Sequence, residues 1–210
     1  MTSEIRIRRR VRLPAEQRRQ QIIDAAAAII AERGYWGLSV QDVADSCALT
    51  VNGVLHHVGS KDGLLVAVLD QRDHQGLLTL AAGLGIELPV EGATPQDLSV
   101  RARERGIGLR AMCATIVAQN VTQPEIVRLY SVLEAESLSP DHPAHDYFTD
   151  RQRVALDGFE RLAPDGVDGR VLAQHLLAVM DGLQLQWLRD PQRDLVAEWD
   201  GIAAGLTGLL

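Results

Sequence analysis

The sequence predicts an all-α protein of about nine helices, with short helices near its N-terminus and a larger helical part beyond residue 95. Three features predict it. Apolar residues recur at three- and four-residue spacing along nearly every segment, as one buried helix face requires. Strand-like alternation is missing, and aromatic residues make up only 4% of the chain. Proline, glycine and short hydroxyl or acidic residues stand where such helices would begin and end.

The first helix begins at Pro14, a residue suited to a first helical turn. Its stripe is Ile22, Ile23, Ala26, Ala27 and Ile30, and Gly34 ends it. A short helix follows Ser39, an N-cap, with Val40, Val43 and Ala44 facing inward. After Cys47-Ala48-Leu49, Thr50 caps a second short helix that runs to about Val58. Ser60 caps a longer one carrying Leu64, Leu65, Val68 and Leu69 to about Ala82. Residues 83–94, with Gly83, Gly85, Pro89 and Gly92, form a loop and the best domain boundary. Thr94-Pro95 opens the next helix, whose stripe is Leu109, Met112, Cys113, Ile116 and Val117. Gln123-Pro124 starts another with Ile126, Leu129, Tyr130 and Leu133. Asp141 to Pro143 starts a third with Phe148, Ala155, Phe159 and Leu162, and residues 164–169 turn the chain. Helices over roughly 169–189 and 192–209 close it.

Composition narrows the class. Of 210 residues, 46% are hydrophobic and 23% charged, as in ordinary globular proteins. No apolar run reaches the length of a membrane span, so no membrane partner is expected. No apolar stretch follows the basic residues 1–12, so a secretory signal is not expected either. Cys47 and Cys113 lie far apart without metal-ligand spacing and read as reduced thiols of a cytoplasmic protein. The net charge of −7 is unevenly spread. Residues 1–20 hold seven arginines against two glutamates, a net of +5, and the rest of the chain carries −12. A basic arm on an acidic body suits a molecule that meets phosphate at one end. A solvated tail is the alternative reading.

Two short helices joined by a tight turn between longer ones make a helix-turn-helix, whose second helix fits the major groove. Here that helix runs from Thr50 to His57. Val54 and Val58, four apart, would face the small core. Val51, Asn52, Gly53, Leu55, His56 and His57 would then turn outward. Asn52 has the geometry to pair two-handed with adenine, and Val51 or Leu55 to touch a thymine methyl. Ser39 and Thr50 put hydroxyls at helix N-termini, where free N–H groups favour phosphate. Lys61, the only lysine, stands in a first helical turn, where a cation opposes the dipole. A phosphate partner would explain it, and a solvated surface lysine is the alternative.

The stretch from Arg18 to Leu65 resembles the DNA-binding domain of the TetR family. The matching residues are Ile22-Ile23-Asp24-Ala25-Ala26, Glu32-Arg33-Gly34-Tyr35, Ser39-Val40-Gln41-Asp42-Val43-Ala44, Leu49-Thr50, Gly53-Val54, His56-His57 and Ser60-Lys61-Asp62-Gly63-Leu64-Leu65. They cover about a quarter of the chain in register. Three positions depart from the family: Ala48 where Gly is usual, Leu55 where a Tyr hydroxyl usually reaches phosphate, and Val58 where Phe is usual. The resemblance implies a basic arm (1–13), a helix-turn-helix domain (14–59), a connecting helix (60–82) and a ligand-binding and dimerisation domain (95–210). It also implies that Arg6, Arg8, Arg9, Arg10 and Arg12 reach DNA.

For the C-terminal part the resemblance implies a helical domain that senses a small molecule and dimerises. The ligand pocket is expected between the middle helices. Met112, Cys113, Ile116, Tyr130, Leu133, Phe148, Phe159 and Met180 are candidates for its wall, and Asn120, Glu134, Arg151, His175 and Gln184 for its polar contacts. The last helix carries Leu195, Trp199, Ile202, Leu206 and Leu209 at 4-3-4-3 spacing, and the helix before it is apolar on nearly all sides. Leu172, Leu176, Val179, Leu183 and Trp187 join that seam as the expected dimer interface, with packing inside one monomer as the alternative. His142 and His145 read as part of a helix start rather than a metal site. No nucleophile–base set has a catalytic context, so no cofactor is expected and the chain is not expected to be an enzyme. The expected function is that of a homodimeric repressor on a palindromic DNA operator, released by an unidentified small molecule. An activator of the same fold, or a helical binding protein or enzyme with a vestigial helix-turn-helix, is the alternative.

Overall fold

The structure, a computed structural model, describes residues 13–206. The described residues form ten helices and no strands: α1 (Ala15–Arg33), α2 (Val40–Ser46), α3 (Val51–Val58), α4 (Lys61–Gly83), α5 (Pro95–Glu104), α6 (Leu109–Val121), α7 (Pro124–Glu136), α8 (His145–Leu162), α9 (Gly169–Arg189) and α10 (Leu195–Gly205). Six of them are capped by side chains: Ser39, Thr50, Ser60, Thr94, Asp168 and Asp194 each accept a backbone N–H of the first turn. Each such cap supplies about 1 kcal/mol by satisfying an otherwise orphaned donor.

One predicted element divides in two. The segment from Pro95 to Val117 was expected as a single helix, but Arg105 ends α5 and Gly106 (φ +70°) turns the chain before Gly108 starts α6. The stripe from Leu109 to Val117 belongs to α6 alone. The final helix starts at Leu195 rather than near 192, because Asp194 is its cap.

Two apolar cores organise the fold. The first joins α1, α2, α3 and the N-terminal half of α4 through Ile22, Ile23, Ile30, Val43, Val54, Leu64 and Leu69. The second joins α5, α6, α8, α9 and α10 with the C-terminal end of α4. Three helices serve both: α4, α7 and α8, the last with Phe148 in the first core and Leu156, Phe159 and Leu162 in the second. Helix α4 changes core along its length. Helix α7 does so across its width: Leu129 and Leu133 are fully buried against the first core, while Val127 enters the second. Each fully buried Leu or Ile side chain contributes about 1.5–3 kcal/mol. The joint between the two halves is therefore packed rather than loosely tethered.

Candidate nucleic-acid interface and ligand cavity

Helix α3 is placed by Val54, which is fully buried in the first core. Its 3.6-residue period then turns Asn52 and His56 fully outward, with Val51, Gly53, Leu55 and His57 half-buried beside them. No acidic residue stands in α3. The Thr50 hydroxyl accepts the Gly53 N–H at 3.1 Å and the Ser39 hydroxyl accepts the Asp42 N–H at 3.0 Å. Each hydroxyl keeps its own proton, free to donate to a phosphate oxygen. The turn between α2 and α3 closes with the Leu49 N–H donating to the Ala44 carbonyl, and Ala48 takes φ +53°. The position where the family usually has glycine is thus left-handed here, occupied by alanine. Lys61 has a partner that sequence reasoning missed: its ammonium lies 4.3 Å from the centre of the Tyr35 ring. That contact gives the cation a partner within the chain. The arginines at positions 6, 8, 9, 10 and 12 lie outside the described residues.

The loop between α1 and α2 is bolted to the end of α7. The Glu136 carboxylate accepts the Tyr35 N–H at 2.7 Å and lies 3.8 Å from the Nε2 of His142, whose side chain is fully buried. His142 accepts the Ala144 N–H through Nδ1, so Nε2 carries the proton, and burial pushes its pKa below the ordinary value. His145 contacts the Ser137 carbonyl at 2.7 Å. A Cβ at Gly34 would collide with the Glu136 carboxylate, and Gly34 takes φ +72°. Gly34 therefore does more than end α1.

Between α4, α5, α6, α7, α8 and α9 lies a cavity of about 1080 Å³. That is at the upper end of sites for drug-sized molecules, which run about 300–1,000 Å³. Of the expected lining residues, Met112, Ile116, Asn120, Tyr130, Glu134, Arg151, Phe159, Met180 and Gln184 face it. Four do not. Cys113 is buried in the second core, where burial pushes its thiol up to about 12. Leu133 and Phe148 belong to the first core, because α7 turns residues 129 and 133 toward α1 and residues 130 and 134 toward the cavity. His175 is exposed on α9.

A polar knot, missed in the sequence, sits at the cavity wall. Asp73 accepts the Tyr130 hydroxyl at 2.6 Å and the Tyr147 hydroxyl, and lies 3.5 Å from the Arg151 guanidinium. Arg151 stacks 4.5 Å from the centre of the Tyr130 ring. Burial, then the Asp73 charge, pushes both phenols well above their ordinary pKa, so both stay neutral donors. The available signal was the spacing of Leu69, Asp73, Leu77 and Leu80, which sets Asp73 into an otherwise apolar stripe. Asp181 on α9 also faces the cavity; burial and then the Glu134 charge push its carboxyl up to about 6.

Most of the expected dimer seam is covered within one chain. Leu172, Leu176, Leu183, Trp187, Leu195 and Trp199 are buried within a single chain, and Val179, Ile202 and Leu206 pack against them. Leu209 lies outside the described residues. These side chains are consumed by packing among α6, α8, α9 and α10, the alternative reading of the pattern. Elsewhere α9 exposes Val171, Gln174, His175, Ala178, Leu185 and Gln186, and Leu185 also borders the cavity.

Two short helices between longer ones, the second capped and exposed, define a helix-turn-helix protein. The family model described as "Bacterial regulatory proteins, tetR family" matches residues 22–68, the stretch that builds α1 to α4. That match takes in the helix-turn-helix and the helices on either side of it. It is 26% identical over 119 residues to the HTH-type transcriptional regulator UidR of Escherichia coli strain K12, a match spanning 55% of this chain and 58% of that protein. Among solved structures it resembles NalD of Pseudomonas aeruginosa, a secondary repressor of the MexAB-OprM multidrug efflux pump. The TM-score is 0.67 at 21% identity, covering 93% of this chain and 97% of that one. It also resembles FadR of Bacillus subtilis in complex with stearoyl-CoA, with TM-score 0.67 at 17% identity over 91% and 99% of the two chains. These relatives are named as regulators and repressors, not enzymes. No helix among the described residues is long and apolar enough to cross a membrane.

Proposed function

We propose that the chain is a DNA-binding transcriptional regulator of the cytoplasm, a homodimeric repressor that a small molecule releases from a palindromic operator. The observation that carries this reading is α3. It is a capped helix with no acidic residue, anchored by Val54, that offers Asn52 and His56 to solvent beside the hydroxyls of Thr50 and Ser39. Such a helix can enter the major groove and read base edges while the hydroxyls fix it to phosphate. The proposed base contacts are Val51, Asn52, Gly53, Leu55, His56 and His57.

A single recognition helix binds weakly, and a dimer reads two half-sites about one helical turn apart. The outward side of α9, with Val171, Ala178 and Leu185 among its exposed residues, is the surface proposed for the second copy. The effector would enter the cavity of the second core. Because α7 lines that cavity with Tyr130 and Glu134 and grips α1 with Leu129 and Leu133, a ligand that shifts α7 also shifts the reading head. It can weaken DNA binding only by its own preference for the non-binding arrangement.

Selection from a random double-stranded DNA library tests the reading. The expected result is enrichment of an inverted repeat with half-site centres about 10 base pairs apart, or a multiple of that. Recovery of unenriched sequence after several rounds would contradict it.

A further inference from the structure

We propose that the cavity takes an amphipathic organic cation, an amine or quaternary ammonium on an apolar body, and that Glu134 and Asp181 read its charge. This inference rests on the regulator reading, for it names the effector class of the same cavity.

The charge balance of the wall carries the inference. Its ionisable residues are Asp70, Arg72, Asp73 and His74 on α4, Glu134 on α7, Arg151 on α8 and Asp181 on α9, while α5 and α6 contribute only uncharged ones. Both guanidiniums are already matched. Arg72 lies 3.1 Å from Asp24, which stands on α1 outside the cavity. Arg151 lies 3.5 Å from Asp73 and stacks on Tyr130. Glu134 and Asp181 face only Arg151, the same guanidinium that Asp73 engages, so three carboxylates on three helices share one cation around one space. An anion drawn toward Arg151 would be repelled by Asp73, Glu134 and Asp181 together. A cation between Glu134 and Asp181 would relieve the repulsion that those two carboxylates exert on each other.

The rest of the wall sets the body of the ligand. Ile116, Phe159, Leu162, Leu177 and Met180 line the cavity beside the carboxylates, so one end is acidic and the remainder apolar. Removing an alkyl chain from water into that remainder stabilises binding whatever the head group. The head group therefore decides between ligands of equal chain length. The wall of this cavity opposes the highly charged anionic head that FadR accommodates in its stearoyl-CoA complex.

Three probes with one decyl chain separate charge from apolar burial: decyltrimethylammonium, decanol and decanoate. Each is titrated calorimetrically into the full chain at neutral pH, below its micellar range. The ammonium is expected to bind about tenfold more tightly than decanol, with decanoate weakest. In the double variant Glu134→Gln/Asp181→Asn the ammonium is expected to fall to the affinity of decanol, while decanol itself is unchanged and so reports an intact cavity. Decanoate binding as tightly as the ammonium, an ammonium preference that survives the double substitution, or no binding of any probe would overturn the proposal. DNA binding assayed beside it separates the two readings. Operator binding without an ammonium preference overturns the ligand class and leaves the regulator reading standing. An ammonium preference without binding to any DNA supports the ligand class and overturns the regulator reading.

Discussion

Ala48 shows how much one side chain can be asked to tolerate. The turn between α2 and α3 needs a left-handed residue, and alanine there, at φ +53°, pays a steric cost that glycine would not. Glycine loses more backbone freedom on folding, which offsets part of the gain. Ala48→Gly is expected to stabilise the chain by about 0.5–1 kcal/mol, read as a higher urea midpoint at unchanged slope. A lower midpoint would mean that the turn has relaxed around the methyl group. The strain was legible in the sequence, because the turn is defined by its caps and the family usually has glycine there. Lys61 was legible only as an anomaly. Its resolution by Tyr35 depends on a contact between residues 26 positions apart, which no local pattern encodes.

At the scale of elements, caps and apolar periods located nine of the ten helices. They missed the break between α5 and α6, where Gly106 and Gly108 stand between the charged residues 101–105 and the apolar stripe of α6. Periodicity also gave α7 an apolar stripe without saying that its two sides meet different cores. Leu133 was for that reason assigned to the cavity, although it packs on α1. The same limit applies to α9 and α10, since a large apolar seam looks alike whether a neighbour in the same chain or a second copy covers it. The junction between α7 and the α1–α2 loop yields a direct test. Glu136→Ala leaves the Tyr35 N–H without its acceptor and is expected to cost about 1–3 kcal/mol of unfolding free energy, measured by denaturant titration. No loss of stability would mean that the contact holds nothing together.

For the whole molecule, the asymmetry first read from charge fits a division of labour between two cores. The N-terminal core presents a short helix, while the C-terminal core surrounds a cavity of about 1080 Å³. The resemblance to the TetR family was legible because its signature is local: residues 22–68, from within α1 to within α4, match in register. The cavity was legible only in part, since nine of thirteen expected residues face it and the polar knot at Asp73 was not foreseen. Helix faces can be counted along a sequence, but which neighbouring helix each face meets is a long-range property.

The central claim is that α3 reads DNA. The most direct test is fluorescence-anisotropy binding of the full chain to the DNA lying just upstream of its own gene, at two salt concentrations, beside the variant Asn52→Ala/His56→Ala. Saturable binding that weakens with salt and falls at least tenfold in the variant is predicted, each lost base contact being worth about 1–3 kcal/mol. Val54 still anchors the helix in that variant, so its fold should be unchanged. Binding that is absent, or that the variant retains in full, would contradict the account.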